Sequence, residues 1–85
     1  WSYTPYASTT SCIGSTVIGA VQGFSSSACW NTDPSYGRAH IFTNGFCTFR
    51  GYTRAGCPEA YGVNLGSGVN ICTAARYLSY KVNCI

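Results

Sequence analysis

Gly37-Arg38-Ala39-His40-Ile41-Phe42-Thr43-Asn44-Gly45-Phe46-Cys47-Thr48-Phe49-Arg50-Gly51-Tyr52 is the stretch whose reading decides the fold. Two runs rich in β-branched and aromatic residues flank Asn44-Gly45. Both residues of that pair tolerate the positive φ angles that a type I′ turn demands. The pattern predicts a tight hairpin in which Thr43 opposes Phe46, Phe42 opposes Cys47, Ile41 opposes Thr48, His40 opposes Phe49 and Ala39 opposes Arg50. Opposed residues share a face, so His40, Phe42, Cys47 and Phe49 are expected on one side. Ile41, Thr43, Phe46, Thr48 and Arg50 are expected on the other.

Upstream, residues 1–11 alternate aromatic and hydroxyl side chains around Pro5, which has no N–H for a ladder; an edge strand or a strand start is expected. Ile13, Val17, Ala20, Val21 and Phe24 recur at helical spacing, with Ser11 or Ser15 as cap. Three glycines oppose that helix, each costing up to about 1 kcal/mol, but the spacing favours it over 13–24. Cys29 and Trp30 read as a buried staple point, and 31–37 as a loop.

Downstream, Gly56 and Pro58 bracket Cys57 in a turn suited to a disulfide. Residues 61–68 are a glycine-rich connection. Ile71, Cys72, Ala75 and Leu78 again share helical spacing, with Ser67 as cap, so a second helix is expected over 69–78. Residues 79–85 alternate and read as a strand. The order is strand, helix, strand, strand, helix, strand: an α+β, disulfide-stapled β-α-β-β-α-β ferredoxin-like plan. The rival is an all-β barrel or sandwich in which both helices are strands.

The chain is one 85-residue domain, too small for its core alone to give ample stability. Its six cysteines, Cys12, Cys29, Cys47, Cys57, Cys72 and Cys84, are widely spaced and contain no Cys-x-x-Cys pair. With a single histidine beside them, they read as three disulfides rather than a zinc site, and so as an oxidising compartment. The ferredoxin-like plan favours Cys29 joined to Cys57 or Cys84, and Cys12 or Cys47 joined to Cys72. No apolar stretch is long enough to span a bilayer. Beginning at Trp1 without a basic leader, the chain has the form expected of a mature product freed of its signal peptide. Charged residues are 8% of the chain and net charge is +3. Neutral hydrogen-bonding groups therefore carry solubility, and the mild positive charge does not argue for specific nucleic-acid binding.

Catalytic constellations are sparse. Asp33 and Glu59 are the only side-chain carboxylates, and a glycosidase needs two held close together; both sit beside prolines as solvated loop acids. A ribonuclease would have to pair the sole histidine, His40, with Glu59 and an arginine. No spacing marks such an enzyme, and His40 reads as a structural residue. Neither a Gly-x-Ser-x-Gly elbow nor a phosphate loop occurs. No catalytic residue, metal or cofactor is expected. What remains is a basic-aromatic patch of Arg38, Arg50, Tyr52 and Arg54, suited to phosphate, sulfate or headgroup contacts. Its structural counterpart is an edge strand guarded by charge. Thirteen aromatics exceed what one small core can hold, so some are expected at a binding surface.

Six spaced cysteines, a charge-poor chain rich in Tyr, Ser, Thr and Asn, and an aromatic start resemble the small secreted cysteine-rich proteins of fungi. That class includes plant-infection effectors, antifungal proteins and virus-encoded killer toxins. The expected order of elements is also similar to that of some killer toxins. The resemblance implies a secreted, non-enzymatic virulence or toxin-like protein, monomeric, that binds a host protein, a membrane or a cell-wall component. A small ribonuclease or a carbohydrate-binding module is the alternative.

Overall fold

The computed structural model of the chain describes residues 1–7, 10–13, 16–32, 36–75 and 77–85. The strands are β1 (Ser2–Tyr6), β2 (Val21–Gln22), β3 (Trp30–Asn31), β4 (Arg38–Phe42), β5 (Cys47–Tyr52), β6 (Gly62–Ser67), β7 (Asn70–Thr73) and β8 (Ser79–Cys84). They form two four-stranded antiparallel sheets, ordered β2-β1-β4-β7 and β3-β8-β5-β6. Among the described residues the only helical segment is a single 3-10 turn, Glu59–Tyr61. The α+β ferredoxin-like plan is therefore wrong. The chain is an all-β sandwich.

The departure from the expected hairpin lies at Asn44-Gly45. β4 and β5 are strands, but they do not pair: β4 lies between β1 and β7, and β5 between β8 and β6. Neither Asn44 nor Gly45 has a positive φ, so no type I′ turn forms. Side-chain parity explains why. A two-residue hairpin would put Ile41 and Phe49 on opposite faces, yet both are wholly buried in one core. Carrying the chain from one sheet to the other lets Ala39, Ile41 and Thr43 face Cys47 and Phe49. The corner is pinned to the β6–β7 connection. Thr43 N–H donates to the Val69 carbonyl at 2.8 Å, and Val69 N–H donates to Thr43 Oγ1 at 3.0 Å.

The core is aromatic. Tyr3 from β1 stacks on Tyr80 from β8 with centroids 4.6 Å apart, and Tyr80 stacks on Phe49 at 5.3 Å. Tyr36, Ala39, Ile41, Cys47, Val69, Tyr77 and Val82 complete it. Pro5 is buried, and β1 is an interior strand, not an edge. The position is tolerated because β2 reaches only Ser2 and Tyr3. Beyond it only an isolated Tyr6–Val17 bridge continues the pairing, in which the Pro5 carbonyl accepts Ile18 N–H at 2.8 Å, so the ring nitrogen forfeits one bond of a bridge and none of a full ladder.

Both expected helices fail for the same reason: their helically spaced residues have no core to cover. Over 13–24, Ile13 and Phe24 are exposed, Val17 bridges to Tyr6, and Gly19 takes a positive φ. Ser15, one of the expected caps, lies outside the described residues. Over 69–78, Ile71 and Cys72 sit on β7, opposite Ile41 and His40.

All described cysteines are paired, as three disulfides: Cys12–Cys72, Cys29–Cys57 and Cys47–Cys84. The first two are among the pairings that the sequence favours. The third is not, because the ferredoxin-like plan sets those residues at opposite ends; in the sandwich they face each other across the β5–β8 ladder. Cys29 and Trp30 are exposed on the β3 edge rather than buried. The expected turn at Cys57 is present: Gly56 and Cys57 have φ of 82° and 54°. It is held by the disulfide and by Cys57 N–H donating to Ser79 Oγ at 2.9 Å. Among the described residues no helix is long and apolar enough to cross a membrane.

Candidate functional site

Along β5 and β8, alternate residues leave the core and form the outer face of the second sheet. Phe49 and Val82 point inward, so Thr48, Arg50, Lys81 and Asn83 point outward. The register sets Arg50 directly opposite Lys81, and Thr48 opposite Asn83. On the other flank a bulge in β6 shifts the pairing from Phe49–Gly66 to Arg50–Asn64. Arg50 is therefore flanked by a lysine on one neighbour and an asparagine on the other.

These residues, with Tyr52 and Glu59, line a basin of about 320 Å³. Arg50 is held in a fixed pose. Its guanidinium lies 5.6 Å from the centroid of the Tyr52 ring and 3.5 Å from Glu59 Oε2. It lies flat on Gly62, where a Cβ would fall 2.6 Å from Nε; any side chain at 62 would displace it. Tyr52 hydroxyl reaches toward Glu59 Oε1 at 3.5 Å. Arg50 Nε is buried, and no described group accepts from it.

Two cations and one carboxylate leave the basin with a net charge of +1. A planar guanidinium and a point-charge ammonium, ringed by two hydroxyls and two amides, suit an oxyanion such as phosphate, sulfate or carboxylate. Glu59 is already bound to Arg50 and competes with any such ligand.

The structure divides the expected patch. Arg50 and Tyr52 belong to the basin. Arg54 lies nearby in the turn, its guanidinium 4.9 Å from the Tyr61 ring centroid, but does not line it. Arg38 begins β4, in the opposite sheet, and is half-buried. Lys81, Asn83, Thr48 and Asn64 were missed. Alternation in Ser79-Tyr80-Lys81-Val82-Asn83 put Lys81 and Asn83 on one face, but nothing local says that β8 lies beside β5.

His40 does not meet Phe49. It stands on the outer face of the first sheet with Nε2 2.7 Å from Asn70 Oδ1. Glu59 packs on the outer face of the second, so the histidine–glutamate pair of a ribonuclease is not assembled. The Asp33–Glu59 carboxylate pair falls on Asp33, which lies outside the described residues.

A second cleft of about 190 Å³ separates the β2 and β3 edges and is mainly apolar, with Ile18, Val21 and Trp30 at its walls. Tyr3 and Tyr80 also line it. Burial pushes the Tyr80 hydroxyl up to about 12. It raises Tyr3 further, with the Tyr36 hydroxyl adding to the effect. Compared with family models, curated proteins and solved structures, the chain matches none.

Proposed function

We propose that this is an extracellular, non-enzymatic binding protein, effector-like or toxin-like in action, that engages its target through an oxyanion held between Arg50 and Lys81. Three disulfides suit an oxidising compartment. The observation that carries the reading is the placement of the two cations. Like charges set directly opposite on adjacent strands destabilise a sheet. Guarding a sheet edge would justify them, but Arg50 lies between β8 and β6, and where β3 stops at Tyr80 the next outward groups of β8 are already bonded, Val82 N–H to Ser27 Oγ at 2.9 Å and the Val82 carbonyl to Ser27 N–H at 2.9 Å. Edge protection therefore does not account for the pair, whereas anion binding does.

The test is titration with inositol hexakisphosphate, a soluble polyanion, at several salt concentrations. Binding should weaken as salt rises. Replacing both cations, Arg50→Gln with Lys81→Gln, should weaken it at least about tenfold. Equal binding by wild type and the double variant would remove the basin from the account.

A further inference from the structure

One end of the sandwich gathers exposed aromatic side chains and no charged ones. Phe24 is 100% exposed, Phe46 67% and Phe42 41%. A chain of contacts places them together. Phe24 and Phe42 share a shallow pocket with Trp1. Ser26, two residues beyond Phe24, receives Cys84 N–H at 2.8 Å. Ile85 N–H donates to the Phe46 carbonyl at 3.0 Å, and Asn44 joins Phe46 to the Phe42 strand. Residues 22–28, 42–49 and 82–85, which build this tip, contain no Asp, Glu, Lys or Arg; the Trp1 ammonium beside them donates to the Gly23 carbonyl at 2.8 Å.

The tip's backbone is also prepared for loss of water. Gly23 N–H bonds to the Trp1 carbonyl, Cys47 N–H and Gly68 N–H to the Asn44 carbonyl, and Phe46 N–H to Asn44 Oδ1. An exposed loop normally relies on solvent for these groups. Satisfied internally, these four N–H groups lower the cost of placing this part of the chain in a low-dielectric medium.

Charge returns at a set height. Arg50 on β5 is four residues beyond Phe46, and Lys81 on β8 is four before Ile85, a rise of about 13 Å in extended chain. Aromatic groups that sink about 5–10 Å into the boundary between headgroups and acyl chains would leave these cations level with the headgroups. We propose that the Phe24–Phe42–Phe46 tip inserts into a lipid bilayer carrying anionic headgroups, with Arg50 and Lys81 holding headgroup oxyanions. The role given to the two cations rests on the function proposed above; the role of the tip does not.

The experiment is co-sedimentation of the intact protein with phosphatidylcholine vesicles, with and without roughly 30 mol % phosphatidylserine. Wild type should pellet with the anionic vesicles, less so at high salt. Phe24→Ser with Phe46→Ser should reduce partitioning by about 100-fold or more, with near-UV circular dichroism and inositol hexakisphosphate binding unchanged. Arg50→Gln with Lys81→Gln should lose the preference for phosphatidylserine. If that cation variant keeps the preference while the phenylalanine variant fails to bind, the tip stands and the basin reading falls. Three results would overturn the tip: no pelleting by wild type, equal pelleting by the phenylalanine variant, or a phenylalanine-dependent dimer in sedimentation velocity.

Discussion

Arg50 and Lys81 face each other across the β5–β8 ladder, and among the described residues only Arg50 of the two has a carboxylate beside it, Glu59 Oε2 at 3.5 Å. That asymmetry gives the basin its spare positive charge, and it makes Glu59 an internal competitor for the site.

Removing the competitor should therefore strengthen binding. Glu59→Gln is expected to raise affinity for inositol hexakisphosphate several-fold. Glu59 is 77% exposed, so loss of the ion pair should cost folding stability less than about 1 kcal/mol. Calorimetric titration and urea unfolding of the same preparation read both effects. Weaker anion binding by the variant would mean that Glu59 contributes to the ligand site instead of opposing it.

At the corner between β4 and β5, two substitutions separate the sandwich from a hairpin. Gly45 has no positive φ and open space around its Cα, so Gly45→Ala should be neutral or stabilise by up to about 1 kcal/mol. In a type I′ hairpin the same change would destabilise. Thr43→Val leaves the Val69 N–H without its acceptor in a buried position, with an expected loss of about 1–3 kcal/mol. Denaturant midpoints of the two variants should therefore move in opposite directions, or only the second should move.

Strand positions were legible where side chains alternate: Arg38 to Phe42, Cys47 to Tyr52 and Ser79 to Cys84 are strands, as their patterns say. What alternation cannot give is the partner of each strand. Asn44-Gly45 is a strong local signal, yet the shared burial of Ile41 and Phe49 overrides it, and that is a long-range condition. The same gap hid the functional face. Arg50 and Tyr52 lie on one strand and were visible together, whereas Lys81 comes beside Arg50 only through sheet pairing. The two helical spacings misled because period alone does not supply a core for the spaced face: Ile13 and Phe24 are left exposed, and Ile71 and Cys72 pair on β7 instead.

Alkaline pH should expose the tyrosine core. Tyr80 rises from 10.0 to about 12 through burial, which penalises the phenolate; Tyr3 and Tyr77 rise for the same reason. Below about pH 10 folded and unfolded chains both hold the proton, so this contribution is fully present. Between about 10 and 12 the unfolded chain ionises first, and stability falls as pH rises. Tyr80 hydroxyl is buried with no described partner, so Tyr80→Phe loses no hydrogen bond and should flatten part of the decline. Urea unfolding at stepped pH measures it; a stability independent of pH across that window would contradict the burial assigned to these rings.

The disulfides should rank by loop length. Sequence separations are 60 for Cys12–Cys72, 37 for Cys47–Cys84 and 28 for Cys29–Cys57. On the chain-entropy model the longest should exceed the shortest by about 0.7 kcal/mol, within a typical 2–4 kcal/mol each. Paired Cys→Ala variants, compared by guanidinium unfolding, give the order. Cys29–Cys57 also holds a positive-φ residue in its turn, so a cost above its place in the ranking would locate stability in that turn.

The most direct test of the oxyanion site is amide chemical-shift mapping on isotope-labelled protein titrated with inositol hexakisphosphate. The account predicts that the largest changes fall on Thr48, Arg50, Asn64, Lys81 and Asn83, with little change at Arg38 or around the Trp30 cleft. Changes centred on Arg38, Arg54 or Trp30, or no saturable change anywhere, would contradict it.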